Sequence, residues 1–206
     1  HCIKRLARQR ESPSLRLKHM LSNKNNTFSF RSAGILIFVF CLNSLAASAA
    51  TTSAPDPEAI LSRLGIELPT PSKSIANYVG ATRSGNLVFL SGHLPRRQDG
   101  SIVTGKLGAN LSEKEGYQAA RLSAIALLST LKGEIGDLSK VKRIVKVFGM
   151  VNASDSYTDH SKVVNGCSDL LGEVFGDRGR HARAACGFSS LPLGAAVEIE
   201  MIVEIE

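Results

Sequence analysis

Tryptophan is absent from the 206 residues, tyrosine occurs three times, and aromatics amount to 5%. So few rings exclude a platform on which nucleic-acid bases could stack. Cysteine is equally sparse. Of the four, Cys2 and Cys41 lie in the N-terminal stretch, which leaves Cys167 and Cys186. There is no CxxC pair and no Cys/His cluster at metal-ligand spacing, so neither a disulfide framework nor a structural zinc site is expected. Both remaining cysteines read as small buried hydrophobes. No glycine-rich phosphate loop and no internal repeat is present. The longest apolar run, Ala33 to Leu42, is too short for a comfortable membrane-spanning helix.

Excess charge is also missing where it would matter. The formal net charge is +7, but residues 1–55 hold eight Lys/Arg against the single acid Glu11, which accounts for all of it. The remaining 17 Lys/Arg and 17 Asp/Glu cancel over residues 56–206. The body therefore carries no general attraction for a polyanion. The N-terminal stretch combines a basic, acid-poor segment, the apolar run and an Ala-x-Ala site at Ala47 and Ala49. That is the pattern of a cleaved secretory signal, with an organellar (mitochondrial or plastid) transit peptide as the alternative. Position 1 is His rather than Met, which points to a processed chain or an incomplete reading frame. Two segments are expected: a targeting leader with its linker over residues 1–55, and one folded domain over residues 56–206. A body of about 150 residues is large enough for its own core.

Within the body, Pro57 to Leu64 predicts a short helix ended near Gly65, and Pro69 to Lys73 an extended segment. Tyr78 to Ala81 and Leu87 to Ser91 read as strands joined by the turn signal Ser84-Gly85-Asn86. Arg96 to Gly105 is a polar loop. Ser112 and Glu115 form a capping box that opens a helix to about Lys132, ended by Gly133 and Gly136. Its core stripe is Ala120, Ala124, Leu127, Leu128 and Leu131, with Ile125 close by. Val141 to Val151 is β-branched and reads as a strand. His160 to Phe175 is a second long helix, stopped by Gly176. The chain closes with what reads as a hairpin. Ala182 to Ser189 is the first strand, Leu191-Pro192-Leu193-Gly194 the turn, and Val197 to Glu206 the second strand. In that last strand Val197, Ile199, Met201, Val203 and Ile205 alternate with Glu198, Glu200 and Glu204. The order β-β-α-β-α-β-β predicts an α+β domain, a mixed sheet with two helices on one face. Its other face needs a cover, which self-association would supply.

Arg183 is the one long cation in a strand of Ala and Gly. A guanidinium on so small a floor can meet a planar anion, although a solvated strand arginine is the simpler reading of composition alone. Four segments change that balance. They are Tyr78 with Gly85-Asn86-Leu87-Val88-Phe89-Leu90-Ser91-Gly92; Val164-Asn165-Gly166-Cys167-Ser168-Asp169; Ala182-Arg183-Ala184; and Leu191-Pro192 followed by Val197-Glu198-Ile199-Glu200. In this order and spacing, from about Ile75 onward, the chain resembles the RidA (YjgF-type) reactive-intermediate deaminases, in the endoribonuclease L-PSP or chorismate-mutase-like branch.

The resemblance implies a chorismate-mutase-like subunit in a homotrimer with sites at the subunit interfaces. It implies hydrolysis of enamine/imine intermediates, such as 2-aminoacrylate and its imine tautomers, to 2-oxo acids and ammonia, with neither metal nor cofactor. Arg183 would pair with the substrate carboxylate, and Glu198 would handle the protons of the attacking water. Tyr78, Ser91, Gly92, Asn165 and, through its backbone, Ala185 would line the substrate pocket. His93 stands where familiar members carry Gln, Ala185 where some carry Cys, and the loop after Val151 is a few residues longer. The alternatives are a non-catalytic trimer that binds a small carboxylate, and an endoribonuclease. Against the latter stand the neutral body and the lack of a His pair or clustered Lys.

Overall fold

The computed structural model describes residues 56–71 and 76–206. The expected leader lies outside the described residues, as does the end of the extended segment after Pro71. Helix α1 (Pro57–Arg63) opens with Asp56 accepting a hydrogen bond from the Glu58 N–H at 3.0 Å. Strands β1 (Ala81–Ser84) and β2 (Leu87–His93) form a hairpin across Gly85, whose φ is +60°. Helix α2 (Glu113–Ile135) begins at the capping box, with the Ser112 N–H donating to Glu115 Oε2 at 2.8 Å. Strand β3 (Val141–Asn152), helix α3 (His160–Phe175), strand β4 (Ala182–Phe188) and strand β5 (Val197–Ile205) complete the chain. Among the described residues no helix is long and apolar enough to cross a membrane.

The sheet order is β1-β2-β5-β3-β4, with β3 and β4 parallel and the other neighbours antiparallel. This is the expected mixed α+β sheet, with α2 and α3 on one face. Every expected stripe residue is buried, including Leu127, Leu128 and Leu131 on α2, Val163, Leu170 and Val174 on α3, and Val197 through Ile205 at alternate positions on β5. The opposite face carries Phe89, 39% exposed, with Phe148 and Ile202 half-buried beside it. Among the described residues no helix lies over it.

Several expectations are corrected. The chain's last two strands are not a hairpin. They flank β3 on opposite sides, with Val147 paired to Arg183 on β4 and to Met201 on β5. Local alternation marks a strand but does not name its neighbour. The linking residues 189–196 instead pass the end of β3, where the Asn152 N–H donates to Ala196 O at 3.0 Å and its side-chain amide to Ala195 O at 3.2 Å. Leu193 and Gly194 both take positive φ there, 56° and 67°. The first strand begins at Ala81, because residues 78–80 bend away from the ladder. Gly133 lies inside α2, and Gly136 alone caps it, at φ +83°. Cys186 is exposed, because β4 is an edge strand and Cys186 points away from the helices; Cys167 is buried, which pushes its thiol up to about 12.

Helices α2 and α3 approach closely through small residues. A Cβ at Gly166 would stand 2.8 Å from the Tyr117 carbonyl carbon and 3.1 Å from the Arg121 nitrogen, both backbone atoms that cannot yield. Gly172, in the same helix, has open space around it. Gly166→Ala is therefore expected to lower stability by at least about 1–3 kcal/mol. Gly172→Ala is expected to raise it by roughly 0.5–1 kcal/mol through the intrinsic helix preference. Denaturant unfolding of the two variants checks both signs.

Candidate active site

The expected site residues fall into two groups on opposite faces of the sheet. The first sits on the edge strand. Arg183, Ala185 and Gly187 pair with Val147, Gly149 and Val151, whose side-chain direction is toward the helices, so all three face α3. On α3, Ser161, Asn165 and Ser168 recur at helical spacing along the side facing that strand. Arg183 Nη1 donates to Asn165 Oδ1 at 2.8 Å and to Ser168 Oγ at 3.0 Å, and Nη2 donates to the Ser161 carbonyl at 3.4 Å. A guanidinium has five N–H groups. Nε–H, and one of the two Nη2 hydrogens, have no partner among the described residues, and Nε and Nη2 share one edge of the guanidinium. That edge is the fork a carboxylate fits.

A further link holds Ser168. His181 Nδ1 lies 2.6 Å from the Gly179 carbonyl, which can only accept, so Nδ1 carries the ring proton. His181 Nε2 then accepts from the Ser168 hydroxyl at 3.0 Å, which leaves that oxygen's lone pairs to accept from Arg183. Burial, and then the Arg183 charge, push the His181 pKa down, against the Gly179 hydrogen bond that raises it. The ring is neutral near pH 7, the state this chain of hydrogen bonds needs.

The second group lies at the junction of β2 and β5. Between Leu90 and His93 the strand advances three residues against two on β5, from Met201 to Ile199. This bulge turns His93 toward α2 and brings Gly92 against Glu198. A Cβ at Gly92 would stand 2.8 Å from Glu198 Cδ and 2.9 Å from its Cγ, so glycine is what admits the carboxylate. Glu198 lies between Val197 and Ile199, both buried under the helices, and therefore points to the open face. Partial burial, and then the neighbouring Glu200 charge, raise its pKa. Ser91 ties the strand end to the segment before β1: its Oγ donates to Val79 O at 2.7 Å and its N–H to Gly80 O at 3.0 Å. The Ser91 hydroxyl is thus committed to the backbone. Tyr78, on the segment so held, is 54% exposed.

The chain therefore brings together Arg183, Asn165 and Ala185, and separately Ser91, Gly92 and Glu198 beside the Tyr78 segment. It does not bring Arg183 to Glu198, since β3 and the sheet itself lie between them. Sequence reasoning misses Ser161, Ser168 and His181. A signal for the two serines exists in the polar positions 161, 165 and 168, which recur beside the apolar stripe of α3.

Residues 58–205 match the family model described as YjgF/chorismate mutase-like, putative endoribonuclease. Protein TCP17 of Trypanosoma cruzi is 47% identical over 146 residues, 70% of this chain and 91% of that protein. A crystal structure of a protein of unknown function from Agrobacterium tumefaciens is 43% identical with a TM-score of 0.68, covering 73% of this chain and 94% of its own. A putative endoribonuclease from Shewanella oneidensis is 34% identical with a TM-score of 0.71, covering 73% of this chain and all of its own. The chain belongs to the YjgF family, and its α+β fold is the chorismate-mutase-like one.

Because the folded-state pKa of Glu198 lies above its unfolded value, ionising it costs stability. That cost is absent below about pH 4, where the carboxyl is protonated in both states, and grows as pH rises through the folded-state value. Glu198→Gln is therefore expected to raise the unfolding midpoint at pH 7 and to leave it unchanged below about pH 4. Thermal unfolding across this range, with Glu200→Gln as the variant that should move the Glu198 titration back down, checks the assignment.

Proposed function

We propose that the chain hydrolyses the enamine/imine forms of small 2-amino acids to 2-oxo acids and ammonia, at a site completed by two copies of the chain. Family membership is consistent with this reading. The observation that carries it is the Arg183 guanidinium, held on one side by Asn165, Ser168 and Ser161 and open along its Nε/Nη2 edge. A substrate carboxylate bound there by two charge-assisted hydrogen bonds would lie over Ala185, where a flat molecule meets little side chain.

Water must then add to the C=N carbon. A base takes one proton from it as the C–O bond forms and the C=N π electrons move to nitrogen. The nitrogen takes up a proton to give the carbinolamine; protonated once more it leaves as ammonia, as the oxygen lone pair closes the C=O bond and the hydroxyl proton returns to the base. Glu198 suits both roles, since a carboxylate with a raised pKa is a stronger base than an ordinary one and, nearer neutral pH, is more often found holding a proton to give. Within one subunit it stands on the wrong face, so in this proposal it comes from a second copy, and a closed ring of three is the simplest arrangement. The exposed Phe89 on the open sheet face supports such packing. We further propose that residues 1–55 form a cleaved secretory address, with organellar import as the alternative. N-terminal sequencing of the mature protein separates the two.

With 2-aminoacrylate supplied by an upstream dehydratase, the wild-type chain is expected to speed disappearance of the imine. Arg183→Ala should lose about a hundredfold or more in kcat/KM, since two charge-assisted hydrogen bonds are removed. Arg183→Lys should recover little of it, because an ammonium lacks the fork. Glu198→Gln should lose rate while still binding a 2-oxo acid product. Wild-type and variant rates that all match the uncatalysed one would leave a carboxylate binder without turnover.

A further inference from the structure

Helix α2 carries a second apolar stripe at the margin of the core, where Leu122 and Ile125 pack against it and stay partly open. Leu122, Ile125, Ala126 and Ser129 follow one another at helical spacing, next to the buried stripe, and each except Ser129 is only half-buried. The segment after α1 crosses over this stripe with Ile66 and Pro69, and the loop after β2 closes one end. Between them lies a cavity of about 390 Å³. Its size falls in the range of small-molecule sites. It opens on the side of the sheet that bears the helices, whereas Glu198 points to the other face, and Arg183 is absent from its lining.

The chemistry of its wall is uneven. The side chains of His93, Ser129 and Thr130 on its inner wall are already paired, while Thr70 and Gln98 complete the polar lining and are both exposed. His93 Nδ1 donates to Ser91 O at 2.7 Å, its Nε2 accepts from the Thr130 hydroxyl at 2.7 Å, and the Ser129 hydroxyl donates to the Pro69 carbonyl. Burial pushes the His93 pKa down, so the ring is neutral and adds no charge. What the inner wall presents is therefore apolar surface and spent hydrogen-bonding groups. Charge stands at the mouth. Arg96 and Arg97 line the loop side, each exposed, each bound through one Nη1 to its own loop, at Gly100 O (3.1 Å) and at Ser101 Oγ (3.3 Å) with Ile102 O (3.4 Å). Among the described residues neither makes an ion pair, and each guanidinium keeps several N–H donors. Glu67 is the one acid in the lining, on the opposite rim and exposed. Asp99 is spent on the loop, accepting from the Ser101 N–H at 2.9 Å.

We propose that this cavity binds an amphipathic monoanion of the medium-chain carboxylate class, with its apolar tail along Leu122, Ile125 and Ala126 and its carboxylate at Arg96 and Arg97. An inner wall whose His93, Ser129 and Thr130 groups are spent disfavours a small polar metabolite, because little there replaces the water it would lose. Two guanidinium groups at the rim reject a cation and favour a planar anion. The site is separate from the one at Arg183.

Calorimetric titration of the full chain with decanoate, kept below its micelle-forming concentration, tests the assignment. One saturable site per chain is expected, with decylamine and decanol at least tenfold weaker. Arg96→Ala with Arg97→Ala should weaken decanoate at least tenfold. Ala126→Leu should abolish binding by filling the space, with little change in the unfolding midpoint, and Arg183→Ala should leave binding unchanged. If Ala126→Leu does not fold, the methyl NMR spectrum of the wild type decides: Ile125 and Ala126 must shift on titration. No saturable binding, equal binding of decylamine, or binding that Ala126→Leu, Arg96→Ala with Arg97→Ala or the methyl shifts do not track would overturn the proposal.

Discussion

Strand β3 has a neighbour on each side, parallel to β4 and antiparallel to β5, and most of what this molecule can do follows from that pairing. The chain cannot run from β4 to β5 as a hairpin, because β3 occupies the place between them. It must instead pass the end of β3, where Asn152 holds it by its backbone and its side chain. The register set there fixes which face each residue of the last two strands presents. Arg183 falls level with Val147 and turns to the helices, and Glu198 falls level with Met150 and turns away. The two most reactive groups of the chain are thus kept apart by the same strand that ties their own strands together.

Each group is prepared for its task by different physics. The arginine is held by hydrogen bonds: Asn165 and Ser168 take both Nη1 protons, and Ser168 is itself fixed by a neutral His181. This orients the guanidinium before any anion arrives, which lowers the ordering cost of binding. The glutamate is prepared by desolvation and by the nearby charge of Glu200, in a space opened by Gly92. A half-buried carboxylate with a raised pKa costs stability when it ionises.

Much of this is legible in the sequence, and the part that is not has a physical reason. The end of α3 and the start of α2 follow from Gly176 and from the Ser112–Glu115 box, because caps act within a few residues. The buried side of β5 follows from strict alternation. Pairing partners are a property of the whole sheet, so the closing strands read as a hairpin when they are not. The bulge before His93 is invisible in a run of ordinary strand residues, yet it decides that His93 joins the cavity over α2 while Gly92 meets Glu198. Cys186 reads as a core residue by type, and edge position overrides type. The resemblance to known relatives names Arg183 and Glu198 together; the fold adds that one chain does not unite them.

Co-expression of Arg183→Ala and Glu198→Gln chains in one cell tests that separation most directly. If the site joins Arg183 of one copy to Glu198 of another, mixed rings contain some intact pairs. Random assembly of equal amounts then restores about a quarter of wild-type imine hydrolysis from two variants that are each inactive alone. If activity stays at the level of the separate variants, Arg183 and Glu198 do not meet across a subunit boundary, and a site shared between copies is ruled out.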